Sequence, residues 1–136
     1  VTGASRGIGA AIADELAAYN PLIPDGSNWK VTLLIEFPEV EARRVALARM
    51  KGIEDRCWVQ VAGHERVFAI ADEDLEREND EKTSSVHFLR FELSPAMVAS
   101  LKAGAALGME VDHAALTASI PAVGDATRAA LLRDLV

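Results

Sequence analysis

Thr2-Gly3-Ala-Ser5-Arg-Gly7-Ile8-Gly9 opens this chain with a spacing that lets backbone amides at a helix N-terminus approach a pyrophosphate, because glycine puts no Cβ in the way. On that reading Thr2, Gly3, Ser5, Gly7, Ile8 and Gly9 would bind a dinucleotide, NAD(P). A second chemical set is the three histidines, His64, His87 and His113, with Glu65, Asp72, Asp74 and Asp112 near them in sequence, a mixed nitrogen and oxygen donor set for a metal. No two of these histidines stand three or four apart as on a di-iron helix, and the single Cys57 cannot build a zinc cluster. Each also has a plain reading. His64 suits a hairpin cap, His113 an Asp-His turn, and His87 a hydrogen-bonded core position, so no metal is assigned and the three stand as candidates only.

The run Asp72 to Glu81 holds seven carboxylates, and Asp72, Asp74 and Glu76 alternate as in a calcium loop. The sixth position is Arg77 instead of glycine and the twelfth is Thr83 instead of a bidentate acid, so a solvated acidic loop is expected. Arg66 and Arg90 lie in alternating segments and could pair with these acids or bind an anionic ligand. Cys57 falls in register with Val59 and Val61 and is expected to be a small core residue.

The elements that must position these groups follow from pattern. A helix is expected over about 5–18, then a turn-rich linker at 19–26 with two prolines and an Asp-Gly pair. Strands are expected at 30–37, 57–61 and 85–93, the last placing His87, Leu89, Phe91 and Leu93 on one face. Gly63-His64 suits a reversal that returns 66–71 antiparallel to 57–61. Helices are expected at 39–50, with Val40, Leu47 and Met50 on its stripe, from Ser94-Pro95 onward, with Met97, Val98 and Leu101 inward, and at 125–136. A short strand is expected near 109–111. Hairpin-linked strands with helices between some of them indicate an α+β fold, a mainly antiparallel sheet with flanking helices.

A chain of 136 residues, half of them apolar, suits a single domain with a packed core. A net charge of −7 and a pI near 4.9 argue against nucleic acid, since no basic stripe could release counterions. Apolar runs are too short to span a bilayer, no secretory signal is evident, and one cysteine fits a reducing compartment, so a cytoplasmic protein is expected.

Residues 1–17 resemble the glycine-rich start of a short-chain dehydrogenase/reductase. That family also uses a Tyr-x-x-x-Lys pair and a ribose-reading acid about 20 residues past the loop. Here the only tyrosine, Tyr19, is followed four residues on by Ile23, the nearest candidate for the acid at the tip of a second strand, Glu36, lies 27 residues beyond Gly9, and no strand precedes the loop. From about Ile12 to the end the chain resembles a bacterial family, the domain of unknown function 3501. The resemblance rests on ELAAYNPLIPDG at 15–26, KVTLLIEFP at 30–38, AGHERVFAIADEDLER at 62–77, KTSSVHFLRFEL at 82–93 and ATRAALL at 126–132. Together the two resemblances suggest a dehydrogenase-like segment at 1–17 fused near Asp14-Glu15-Leu16 to an N-terminally truncated family domain at about 18–136.

The second resemblance implies a small cytoplasmic accessory or ligand-binding domain linked to redox or stress functions, without demonstrable catalysis and with a redox or iron-sulfur protein as partner. The alternatives are an NAD(P)-binding fragment lacking the catalytic Tyr and Lys, and a metal-binding redox partner. Because family elements are absent from the start, an exposed apolar edge and self-association are expected.

Overall fold

The computed structural model describes residues 22–136, so the glycine motif and the helix expected over 5–18 lie outside the described residues. The described elements run β1 (Asn28–Leu34), α1 (Val40–Arg49), a 3-10 turn (Ile53–Arg56), β2 (Cys57–Val61), β3 (Arg66–Phe68), β4 (Ile70–Ala71) and β5 (Val86–Glu92). They continue with α2 (Pro95–Lys102), β6 (Leu107–His113), β7 (Leu116–Ile120) and α3 (Asp125–Leu132). The strands form two antiparallel sheets, one in the order β1-β5-β4 and one in the order β3-β2-β6-β7. This is the α+β architecture expected from the sequence.

Alternation in β5 does what the pattern demands. His87, Leu89 and Phe91 are buried, and the register sets Leu33, Val31 and Trp29 of β1 opposite them on the same face. In the second sheet Cys57, Val59 and Val61 pair with Val111, Met109 and Leu107. These two inner faces, with Met97, Val98 and Leu101 of α2, close on one apolar core. A smaller cluster of Ile35, Leu47, Met50 and Ile53 lies under α1. Ser94 caps α2 as expected, its hydroxyl accepting from the Met97 amide at 3.2 Å, with Pro95 behind it.

Several expectations need correction. β1 begins at Asn28 and ends at Leu34, so Ile35 and Phe37 leave the sheet and pack into the smaller cluster. Val40 is 65% exposed, and Leu47 and Met50 alone of the expected stripe are buried. The segment 66–71 does not return as one strand. β3 pairs with β2, but the chain crosses at Ala69, whose amide donates to Cys57 O at 2.9 Å, and β4 joins the other sheet beside β5. β7 was not expected from its neutral sequence, and it extends the short strand near 109–111 into a hairpin with β6.

The C-terminal segment is tied back to the start of β1. Trp29 Nε1 donates to Leu131 O at 3.0 Å, and the Val136 amide donates to Gly26 O at 2.9 Å. Gly26 has φ +100°, and a Cβ there would come within 2.5 Å of Val136, so both backbone and space require glycine.

Candidate metal centre

The buried end of β5 carries the principal cluster of ionisable groups. His87 is fully buried, and its two ring nitrogens have different neighbours. Nδ1 lies 2.5 Å from Asp72 Oδ2. Nε2 lies 2.9 Å from Thr83 Oγ1 and 3.1 Å from Ser84 O. A hydroxyl can donate to a bare nitrogen and a carbonyl can accept from a protonated one, so Nε2 has a partner in either protonation state.

Asp72 follows directly from β4 and has φ 48°, the left-handed region that aspartate tolerates better than most side chains. Phe88 holds it there. The Asp72 amide donates to Phe88 O at 2.8 Å, and Asp72 Oδ1 accepts from the Phe88 amide at 2.9 Å. The same Oδ1 accepts from Arg77 Nε at 3.0 Å. Arg77 also pairs with Asp74, and its guanidinium carbon sits 4.6 Å from the centre of the Phe88 ring. Oδ1 is thus committed to neighbours and Oδ2 is turned to His87.

Glu54 completes the group from the 3-10 turn. Gly52, at φ 80°, starts that turn, and its amide donates to Glu78 Oε2 at 2.7 Å, which fixes the turn against the acidic loop. Glu54 Oε2 is buried and has no hydrogen-bond partner among the described residues. Burial pushes the Glu54 carboxyl above the ordinary glutamate range. One ligand atom each from Glu54, Asp72 and His87 fall within 4.8 Å of one another. Two carboxylate oxygens and an imidazole nitrogen are a donor set suited to borderline divalent ions such as Zn²⁺, Mn²⁺ or Fe²⁺, and three protein ligands would leave a position open. Beside the cluster runs a groove of about 560 Å³ lined by Arg77, Glu78, Thr83 and Ser84, so Thr83 both touches His87 and faces the groove.

The other candidates sit elsewhere. His64 follows the β2 reversal and its Nε2 is 2.8 Å from Ser100 Oγ. His113 ends β6, with Nε2 2.7 Å from Lys51 O and Nδ1 accepting from the Ala115 amide. The structure therefore does not bring the three histidines together. Arg90 is paired with Glu73 and Glu92, and Arg66 lies over the Trp58 ring at 4.4 Å. Cys57 is a core residue, as expected, with its thiol pushed up to about 11 by burial and by the charges of Glu54 and Asp55. The acidic run is only partly solvated. Asp72 is half-buried against His87, its side chain 9% exposed, while Glu73, Asp74, Glu76, Asp80 and Glu81 are exposed. Glu54 was missed because its partners lie 18 and 33 positions away and nothing in Ile53-Glu54-Asp55-Arg56 marks it. Thr2, Gly3, Ser5, Gly7, Ile8 and Gly9 lie outside the described residues.

Among the described residues no helix is long and apolar enough to cross a membrane. No curated protein matches the chain. A crystal structure of a protein of unknown function from Burkholderia pseudomallei is similar, at 52% identity and a TM-score of 0.83 over 93% of this chain. The chain spans 66% of the length of that structure. The model of the family described as protein of unknown function DUF3501 matches residues 8–135, starting inside the glycine motif. With that match covering nearly all of the sequence, the chain belongs to the DUF3501 family.

Proposed function

We propose that this chain is a ligand-binding accessory domain and that its ligand is a divalent transition-metal ion held by Glu54, Asp72 and His87. The observation that carries the reading is the orphaned Glu54 Oε2, a buried carboxylate oxygen with no donor among the described residues, placed beside an imidazole and a second carboxylate. Unpaired buried carboxylates are costly, and a cation is the partner that a carboxylate, a carboxylate and an imidazole can share. A redox or stress role would enter through the ion and is part of the proposal only in that sense.

Chelator-treated protein titrated with Zn²⁺, Mn²⁺ and, without oxygen, Fe²⁺ should bind one ion per chain and melt at a temperature that rises with metal concentration, as linkage requires. Glu54→Gln and His87→Gln should each weaken binding by about tenfold or more. If no metal raises the melting temperature and Glu54→Gln simply stabilises the chain, the cluster is structural and the proposal is wrong.

A further inference from the structure

We propose that β7 is the seam of a two-fold homodimer, in which the four-stranded sheet of one protomer continues antiparallel into that of a second copy. The inference is independent of the metal reading and rests on three properties of one strand. All five residues of Leu116–Ile120 are exposed, and no strand pairs with the outer edge of β7 among the described residues. Sheet edges are ordinarily guarded by charge, proline, bulges or extreme shortness. Within Leu116–Ile120 β7 has none of these, proline entering only after it at Pro121, whereas the opposite edge strand, β3, has three residues and includes Arg66.

The second property is the sequence itself. Leu116-Thr117-Ala118-Ser119-Ile120 reads the same in both directions by chemical type: aliphatic, hydroxyl, alanine, hydroxyl, aliphatic. An antiparallel copy related by a dyad through Ala118 sets Leu116 opposite the partner's Ile120, Thr117 opposite the partner's Ser119 and Ala118 opposite the partner's Ala118. Threonine directly opposite serine is among the favourable cross-strand combinations, and like charges are absent from every pair. Self-complementarity of this kind is what an isologous interface requires.

The third property is where these side chains face. The register places Leu116, Ala118 and Ile120 on the face of His113, Val111 and Met109, the last two of which pack against the core. Leu116 and Ile120 remain 40% and 52% exposed there, so the apolar side of the sheet runs out to the edge. A second copy continues that side across the seam. Charge does not oppose this occupant at the seam: although each chain carries −7, β7 is neutral, and Glu110 and Asp112 of the neighbouring strand lie one strand inward, where Asp112 pairs with Arg56.

Sedimentation of the full chain from about 5 to about 500 µM, a range over which a micromolar dimer dissociates on dilution, should show a monomer–dimer equilibrium. Ala118→Lys or Ala118→Glu, each placing like charges on the dyad, should give monomers with unchanged circular dichroism and melting cooperativity, because position 118 is exposed. Mixing the two variants should restore a dimer that salt weakens. Ala118→Cys should oxidise to a covalent dimer, since Cys57 is buried, while Leu116→Cys should do so far less, its opposite residue being the partner's Ile120. A chain that stays monomeric across the range, or a dimer that the charged variants leave intact, would overturn the proposal. The first result would mean that another segment of the chain covers β7, and the second that the copies meet through another face.

Discussion

The three-stranded sheet and the four-stranded sheet face the same core, but they fill their inner positions with different chemistry. Along β2 and β6 the inner positions are Cys57, Val59, Val61, Leu107, Met109 and Val111, and no charge is buried among them. Along β5 the same alternation delivers Phe91 and Leu89 and then His87, which meets Asp72 and Thr83. A sheet that only packs tolerates volume-conserving change, whereas one that carries a buried polar network depends on each partner being present. The difference places the buried polar network of the described residues at one end of one strand.

Substitutions that remove a partner from each sheet should separate the two. Asp72→Ala leaves His87, Arg77 and the Phe88 amide without their shared carboxylate and should destabilise the chain by about 3–5 kcal/mol in urea unfolding. Leu107→Ala removes a side chain buried to 1% exposure in the four-stranded sheet and should cost about 2–4 kcal/mol, a pure packing loss insensitive to pH.

Glu54→Gln has the opposite sign. Burial raises the Glu54 carboxyl in the folded state, so ionisation there opposes folding. The stability lost to that charge is absent where both states are protonated, below the ordinary value of 4.5, and grows as pH rises above it. The variant should therefore melt higher than the parent at neutral pH without metal, with a gain that fades toward pH 4. Loss of stability at neutral pH would show that the carboxylate has a partner of its own.

Cys57 sharpens the contrast from the other side. With its thiol raised from 9.0 to about 11, the thiolate at pH 8 is roughly a hundredfold scarcer than for an ordinary cysteine. Labelling with a disulfide reagent should be at least that much slower in the folded chain than in urea. The smallest effect belongs to the surface. Arg90 holds Glu73 below the usual carboxylate range, so this pair adds stability at neutral pH that is lost as the pH falls through the lowered Glu73 value. Half of the Glu73 side chain is exposed, and Glu73→Gln should cost under about 1 kcal/mol, less in high salt.

What the sequence made legible follows the same division. Strict alternation marked β5 and both its faces, and Ser94-Pro95 marked the start of α2, because those signals are local. β7 was not legible: Leu-Thr-Ala-Ser-Ile alternates over only five residues with a small Ala118 at its centre, and its strand form depends on pairing with β6. The split of 66–71 between two sheets depends on where Phe88 and Cys57 stand in space, which no window of sequence contains. His87 was visible as the odd residue on an apolar face. Its partners were not, because an acidic run reads as solvated until one member, Asp72, is turned inward at a left-handed backbone position.

The register of β1 against β5 also sets an order of events. Asn28 meets Glu92 across 64 residues, whereas β2 with β3 and β6 with β7 are hairpins closed by short turns. Short loops close first, because the entropy of bringing distant segments together grows with their separation. On that expectation β1 docks after those hairpins, onto a β5 strand shielded on its other edge by β4, and sets Leu33 opposite His87 only then. A metal ion bound there would slow the escape from the native state far more than it hastened arrival.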